Sequence, residues 1–179
     1  MPQRSHAMIP QIKKILYATD LSPNSAYVFR YAINSAIKHD ARIVILHVFE
    51  LFSTAARIQV ELYLDEEFRK NIFHEKVGET KDRIKKRLKS FCEKELQDYP
   101  GSEDRVVDVV VSEGFPAEEI LIKAQQYDCD AIIMGTHSKG VIANTFLGST
   151  AKRVLRRARI PVFIIPLPKG EIDKAYQDI

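Results

Sequence analysis

The chain is poor in the features that mark disulfide-rich, zinc-binding and membrane-spanning proteins. It contains two cysteines, Cys92 and Cys129, which lie far apart and share no motif. This argues against a disulfide or zinc framework and is compatible with a reducing cytoplasm. No apolar run approaches the roughly 20 residues of a membrane-spanning helix, and no signal-peptide core follows the N-terminus. We therefore expect a cytoplasmic protein with no membrane partner.

An excess of charge of one sign is also missing. The net charge is +3, with acidic and basic residues interspersed, so no nucleic-acid partner is demanded. The composition, 45% hydrophobic and 28% charged over 179 residues, is ordinary for a globular protein and allows a sizeable core. We expect a single domain over residues 8–168, preceded by a disordered tail or expression remnant at 1–7 and followed by a polar tail at 169–179.

Glycine is scarce, but three of the seven glycines fall in one loop. An apolar run stops at Gly135, and Gly140 and Gly148 follow before a helical pattern begins. With the second apolar run that starts at Pro161, this stretch reads as one βαβ unit. Glycines let backbone take left-handed conformations and approach a ligand closely, and a helix start suits phosphate. The alternative is that these glycines only turn the chain from strand to helix.

Apolar runs alternate with helical patterns along the rest of the chain. The predicted strands cover residues 13–20, 42–48, 105–112, 129–134 and 161–165. The predicted helices cover residues 22–39, 65–96, 117–127 and the stretch that follows Gly148. Ser22 is predicted to cap the first helix, with Pro23 at its first position. Segment 49–64 fits a loop, a lid or the first turns of a helix.

Apolar residues at helical spacing predict the buried helix faces. These are Ala26, Phe29, Tyr31, Ile33, Ala36 and Ile37 in the first helix, Ile120, Leu121 and Ala124 in the third, and Ala151, Val154, Leu155 and Ala158 in the last. The polar side of the last helix carries a basic run of Lys152, Arg153, Arg156, Arg157 and Arg159. We interpret this run as a solvated face rather than a nucleic-acid-binding surface.

The alternation of five strands with four helices predicts the fold class. It is α/β, with a doubly wound, five-stranded, mainly parallel sheet of order 3-2-1-4-5 and helices on both faces. In such a sheet ligands bind beyond the carboxyl ends of the strands, where the strand order reverses. The ends that meet there are Thr19-Asp20 and Met134-Gly135. The glycine loop therefore starts at the expected ligand site.

Two common phosphate-binding motifs are absent. In the Walker pattern Gly135 and Gly140 have the right separation, but Val141 and Ile142 occupy the positions of the required lysine and serine or threonine. The dinucleotide pattern GxGxxG does not occur. What remains is Gly135 with Ser138 three residues on, then nine residues, then Gly148-Ser149.

This arrangement resembles the nucleotide-binding signature of the universal stress protein family, which is Gly-x-x-Gly, nine residues, then Gly-Ser/Thr. The segments ILYATDLSPNS, VILHVFE and IPVFIIP are similar to the family's first strand with its Asp-x-Ser, its second strand and its last strand. The resemblance extends from Lys13 to Pro166. It implies an ATP-binding regulatory protein of the stress response, with magnesium or manganese accompanying the nucleotide.

The resemblance also implies the residues of the nucleotide site. Asp20 would accept hydrogen bonds near the ribose and adenine, and Val48 would border the adenine through its backbone. The other implied residues lie beneath the nucleotide or around its phosphates: Met134, Gly135, Thr136, His137, Ser138, Lys139, Gly140, Gly148, Ser149 and Thr150. Ser149 would also cap the last helix.

Each role has a plainer alternative. Asp20 could be a helix-capping carboxylate, Val48 a core residue and His137 a solvated histidine without a catalytic partner. No nucleophile–base pair and no carboxylate cluster is evident in the sequence, so we predict no catalytic residue, no metal ligand and weak ATPase activity at most.

The family resemblance also bears on association. Last strands of this family commonly pair antiparallel across a two-fold axis, and Val162 to Ile165 would form such a homodimer contact. An unpaired apolar edge strand would otherwise promote aggregation. Further protein partners cannot be named.

Ser138 stands where the family signature has its second glycine. A serine adds a Cβ and a hydroxyl, which could crowd the phosphates or hydrogen-bond to one. A second hypothesis is therefore a dimeric interaction module that does not bind nucleotide. A third, an ATP-using enzyme of related fold, is disfavoured because Asp20-Leu21-Ser22 replaces the Ser-Gly-Gly loop expected of pyrophosphatase-type enzymes.

Replacing Ser138 with glycine tests whether this side chain limits nucleotide binding. If it does, Ser138→Gly should bind Mg-ATP more tightly, because the Cβ and hydroxyl that crowd the loop are removed. Titration calorimetry on both proteins measures the change. Equal dissociation constants would show that the side chain is not the block.

Overall fold

The computed structural model describes residues 9–22, 24–50, 66–136 and 147–166. These residues form five strands and four α-helices: β1 (Lys14–Thr19), α1 (Ser25–His39), β2 (Arg42–Phe49), α2 (Glu66–Leu96), β3 (Val106–Glu113), α3 (Pro116–Gln126), β4 (Ala131–Gly135), α4 (Ser149–Arg157) and β5 (Val162–Ile165). A short 3-10 turn, Glu103–Arg105, precedes β3. The predicted tails, and segment 49–64 from residue 51 onward, lie outside the described residues.

The strands form one parallel sheet of order β3-β2-β1-β4-β5. This confirms the predicted fold class and strand order. β1 lies at the centre because its residues are apolar on both sides, and Ile15 and Leu16 are completely buried. A strand covered on both faces appears in the sequence as a continuous apolar run, and β1 was predicted from such a run.

Helices cover both faces of the sheet. On one face, Ile15, Tyr17 and their neighbours pack against buried residues of α1 and α2. On the other, Leu16 and its neighbours pack against α3 and α4. The alternation follows from the two-residue period of a strand, which sends successive side chains to opposite faces. The two cores fix the positions at which β1 and β4 end.

The predicted start of α1 is wrong. The helix begins at Ser25 with Asn24 at the N-cap position, and no side chain caps it. Ser22 is therefore outside the helix, and Pro23 lies outside the described residues. The turn between β1 and α1 is longer than predicted, because the N–H groups of Leu21 and Ser22 donate to the side chains of Thr19 and Asp20 and not to helical carbonyls.

Three residues predicted for buried helix faces are largely exposed: Tyr31, Ile37 and Leu155. The buried face of α1 is centred near Phe29 and Ala36, and at roughly 100° per residue Tyr31 falls roughly 140° away from that centre. In α4 only Ala151 and Val154 are buried, so the contact surface is narrower than predicted. The basic run on α4 is exposed, as predicted.

No helix in the described ranges is long and apolar enough to cross a membrane.

Candidate functional site

A cavity of about 400 Å³ opens at the carboxyl ends of β1 and β4. This is the position at which the strand order reverses, and its volume lies in the usual range for small-molecule sites. Of the predicted site residues, those that line it are Asp20, Val48, Met134, Gly135, Thr136, Gly148, Ser149 and Thr150. The other four, His137, Ser138, Lys139 and Gly140, lie outside the described residues.

The cavity is also lined by polar residues that were not among the predicted site residues: Thr19, Ser22, Asn24, Ser25 and His47. Thr19 is the last residue of β1, and His47 lies next to Val48 near the end of β2. Polar side chains at the carboxyl ends of strands that flank the switch point are a general signal for a site. That signal placed Thr19 at the expected site, and it would also have found His47.

Asp20 follows β1 directly, and one of its oxygens shapes the turn. Its Oδ1 accepts hydrogen bonds from the Ser22 N–H at 3.0 Å and from the Ser25 hydroxyl at 3.3 Å. Because Ser22 precedes α1, Asp20 does not cap the helix N-terminus. Its Oδ2 has no partner among the described residues, so it remains available to a ligand in the cavity.

Thr136, the residue after β4, leaves a buried hydroxyl without a partner. Its N–H donates to Ile165 O at 3.2 Å, and its carbonyl accepts from the Gly148 N–H at 2.8 Å. The residue is only 8% exposed, and its Oγ1 makes no hydrogen bond within the described chain. Burying a hydroxyl in this way costs about 1–3 kcal/mol. A polar ligand in the cavity would offset that cost.

The N-terminus of α4 borders the same cavity. Gly148 occupies the N-cap position in an extended conformation, with φ −63° and ψ 159°, and no side chain caps the helix. Ser149 is therefore the first helical residue, and its predicted role as the cap is wrong. The first intrahelical bond runs from the Lys152 N–H to Gly148 O at 3.0 Å. The preceding N–H groups have no intrahelical acceptor and carry the positive end of the helix dipole, which attracts anions.

The role of Gly135 depends on its missing side chain rather than on its backbone conformation. Its φ is not in the left-handed region, where only Gly101 and Gly114 fall among the described glycines. A Cβ at position 135 would lie 3.3 Å from Val28 Cγ2, which is tighter than ordinary contact. The glycine therefore lets α1 approach the end of β4 closely.

His47 faces Thr19 across the β1–β2 pair. Its Nδ1 lies 2.9 Å from Thr19 O, and since a carbonyl only accepts, Nδ1 carries the proton. Burial lowers the pKa of His47, and Arg87 acts in the same direction, against the Thr19 carbonyl and Asp20, which raise it. The ring is thus neutral at pH 7, with Nε2 as a hydrogen-bond acceptor.

Within the described ranges no group of three His, Cys, Asp or Glu side chains could hold a metal ion. Asp20 is the only carboxylate among the described residues that line the cavity.

Comparisons with known proteins agree on one family. The model of the universal stress protein family matches residues 11–166. A universal stress protein of Thermus aquaticus is 30% identical over 154 residues, covering 86% of this chain and 98% of its own. Universal stress protein MJ0577 of Methanocaldococcus jannaschii is 29% identical over 156 residues, with 86% and 94% covered. A universal stress protein solved in complex with cAMP shares the fold, with a TM-score of 0.52 at 18% identity, covering 88% of this chain and 98% of that one.

The lowered pKa of His47 predicts a loss of stability in mild acid. The unfolded chain binds a proton as the pH falls through about 6.5, whereas folded His47 binds one only at lower pH. The free energy of unfolding is therefore highest above about pH 6.5 and declines as the pH falls toward the folded pKa. Urea denaturation across this range should show the decline.

His47→Asn should flatten that part of the profile, because asparagine keeps an N–H for Thr19 O but does not titrate. His39→Asn, at the exposed end of α1, serves as the matched control. An unchanged slope in His47→Asn would contradict the assignment.

Proposed function

The chain belongs to the universal stress protein family, and from this premise and the cavity we propose that it is a dimeric regulatory protein that binds ATP. The observation that carries the proposal is the uncapped N-terminus of α4, which borders the cavity that Asp20 also lines. An anion-attracting group and a free carboxylate oxygen in one cavity suit a ligand with phosphates and hydroxyl donors. A nucleotide has both.

The phosphates would lie at the start of α4. The N–H groups of Ser149 and Thr150 have no intrahelical acceptor, and the helix dipole stabilises negative charge there. The orphaned hydroxyl of Thr136 would donate to a phosphate oxygen and lose its desolvation cost. Ser138 and the other loop residues 137–140 belong to this proposal on the strength of the family signature alone.

The ribose and base would lie toward β1 and β2. Asp20 Oδ2 would accept a hydrogen bond from a ribose hydroxyl, and the backbone of Val48 would border the adenine. Apolar lining from Leu46, Met134 and Ile120 provides a surface on which a flat base can pack. The universal stress protein solved in complex with cAMP binds an adenine nucleotide, which agrees with this class of ligand.

A divalent cation would be bound chiefly by the nucleotide. Magnesium takes a few protein carboxylates together with phosphate oxygens and water, and does not require a preformed protein cage. Asp20, the one carboxylate among the described cavity residues, is in our proposal committed to the ribose. Magnesium or manganese would therefore accompany the nucleotide and neutralise part of the phosphate charge.

We propose slow hydrolysis at most. The described residues near the proposed phosphate position are Gly135, Thr136, Gly148, Ser149 and Thr150. None of these side chains is a general base that could activate water. The protein would accordingly act as a regulator, through its nucleotide-bound state rather than through rapid turnover.

We also propose that β5 forms a homodimer contact. β5 is the terminal strand of the sheet, and Phe163 on it is 41% exposed. An apolar edge strand with open hydrogen-bonding groups is stable in solution when it is paired. Antiparallel pairing of two copies across a two-fold axis would satisfy both strands.

A cytoplasmic location is part of the proposal. Cys92 and Cys129 are both buried free thiols, and burial raises the pKa of each, to about 12 and about 11. Such thiols are structural and suit a reducing compartment.

The alternative is a dimeric interaction module that does not bind nucleotide. Ser138 favours it, because the family signature has glycine there. A measurement of nucleotide binding to the purified protein separates the two functions.

Purified protein should carry or bind an adenine nucleotide. Mass spectrometry of the supernatant after denaturation should detect it, and titration calorimetry with Mg-ATP should give heat of binding. Asp20→Asn should weaken ATP binding roughly tenfold to a hundredfold, which is the range for a hydrogen bond to a charged group. Asp98→Asn, a matched change at an exposed position after α2, should not. A blank supernatant together with no heat would favour the alternative.

A charge on β5 should give monomers. Ile164 packs against the core, so Phe163→Asp is the cleaner change, because it places charge in the interface without disturbing the fold. Light scattering should report twice the 20.5 kDa chain mass for the unmodified protein and the single mass for the variant. Val107→Asp, equally exposed on the opposite edge strand, is the control. A dimer that persists in Phe163→Asp would rule out this interface.

A further inference from the structure

The turn between β1 and α1 contains a chain of hydrogen bonds that ends on Asp20. The Leu21 N–H donates to Thr19 Oγ1 at 3.1 Å. The Thr19 hydroxyl then donates to Ser25 Oγ at 2.8 Å. The Ser25 hydroxyl donates in turn to Asp20 Oδ1 at 3.3 Å. Two side chains that the proposed function does not use thus connect the core to the carboxylate that it does use.

The ends of this chain fix its direction. A backbone N–H only donates, and an ionised carboxylate only accepts. Each hydroxyl between them must therefore point its proton toward Asp20. Thr19 and Ser25 are 8% and 5% exposed, so water competes poorly for them, and bonds in such a series polarise one another. The carboxylate is therefore oriented by both hydroxyls together with the Ser22 N–H, which donates to the same oxygen at 3.0 Å.

The backbone of both hydroxyl residues is anchored as well. The hydroxyl of Tyr17, which is buried, donates to Ser25 O at 2.7 Å. His47 Nδ1–H donates to Thr19 O at 2.9 Å. This relay of hydrogen bonds through Thr19 and Ser25 is thus held by β1, β2 and the first residue of α1. Side chains fixed on strands and helices position a site more accurately than loop residues do.

Leu21 shows that the turn is held against strain. Its φ is +56°, a left-handed conformation that is unfavourable for a leucine. The conformation persists because the side chain packs against the core and the N–H is bound by Thr19. Strain of this kind is retained where the surrounding contacts over-determine one geometry. Here that geometry is the one that places Asp20.

We propose that the buried hydroxyls of Thr19 and Ser25 are positioning residues, which hold Asp20 Oδ1 so that Oδ2 accepts a hydrogen bond from a ribose hydroxyl of the nucleotide. This rests on the proposed function, in which Asp20 meets the ribose. The relay would make the site selective for ribonucleotides, because only a sugar that carries hydroxyls can donate to Oδ2. A nucleotide whose sugar lacks these hydroxyls forms no hydrogen bond with the oriented carboxylate.

The preference for ATP over 2′,3′-dideoxy-ATP measures this effect directly. Titration calorimetry on the unmodified protein should show ATP binding tighter by roughly tenfold or more, as expected for a hydrogen bond to a charged acceptor. In Ser25→Ala and in Thr19→Val the preference should fall toward onefold, because ATP binding weakens while dideoxy-ATP binding does not. Thr19→Ser, which keeps the hydroxyl, should retain the preference.

Several outcomes would overturn the inference. One is an unchanged preference in both Ser25→Ala and Thr19→Val. Another is an equal weakening of both nucleotides, which would show a merely structural role. Thr19→Val is isosteric and suits a strand, so it and Thr19→Ser decide the matter even if Ser25→Ala does not fold. Failure of the proposed function would look different, because the unmodified protein would then bind neither nucleotide.

Discussion

The pairing of β1 with β4 is the contact on which the site depends. The register places Ile15 beside Ala131 and Ala18 beside Met134, so the two strands end side by side. From there the chain leaves β1 for α1 on one face of the sheet, while β4 leads to α4 on the other. A cleft between diverging connections follows from this topology. The candidate groups of the site lie on these two connections, except for His47 and Val48, which lie near the end of β2.

Much of this arrangement could be predicted because it follows from short-range patterns. Strands covered on both faces must be nearly continuous apolar runs. The alternation of five such runs with helical patterns predicted the fold class, and right-handed crossovers predicted the strand order. The position of the site follows from the strand order and from nothing else. Topology predicted Asp20 and Gly135 at this end of the sheet, and both line the cavity, although Gly135 matters there for its missing Cβ rather than for a left-handed φ.

The rest depends on contacts that no periodicity encodes. The relay through Thr19 and Ser25 needs a turn that Leu21 closes at positive φ, and sequence patterns assign that conformation to glycine. The N-cap position of α4 is occupied by Gly148 rather than Ser149, and the Gly148 N–H donates to Thr136 O, a contact between loop ends that no sequence pattern shows. His47 was read only as part of a buried strand, although it lies at the one end of that strand where a polar side chain meets the cavity.

The cleft has two sides, the β1–α1 bank and the α4 bank, and they differ in how many of their polar groups are hydrogen-bonded. On the β1–α1 bank the hydroxyls of Thr19 and Ser25 and the Oδ1 atom of Asp20 are joined by hydrogen bonds, and Asp20 Oδ2 has no partner among the described residues. On the α4 bank the first N–H groups of the helix and the Thr136 hydroxyl lack protein partners in the described chain. Unsatisfied buried groups lower stability. A ligand that supplies acceptors to the α4 bank would therefore stabilise the fold as it binds, while the hydrogen-bonded β1–α1 bank would set which ligand is accepted. Affinity would then come mainly from the α4 bank, and selectivity would come from the β1–α1 bank.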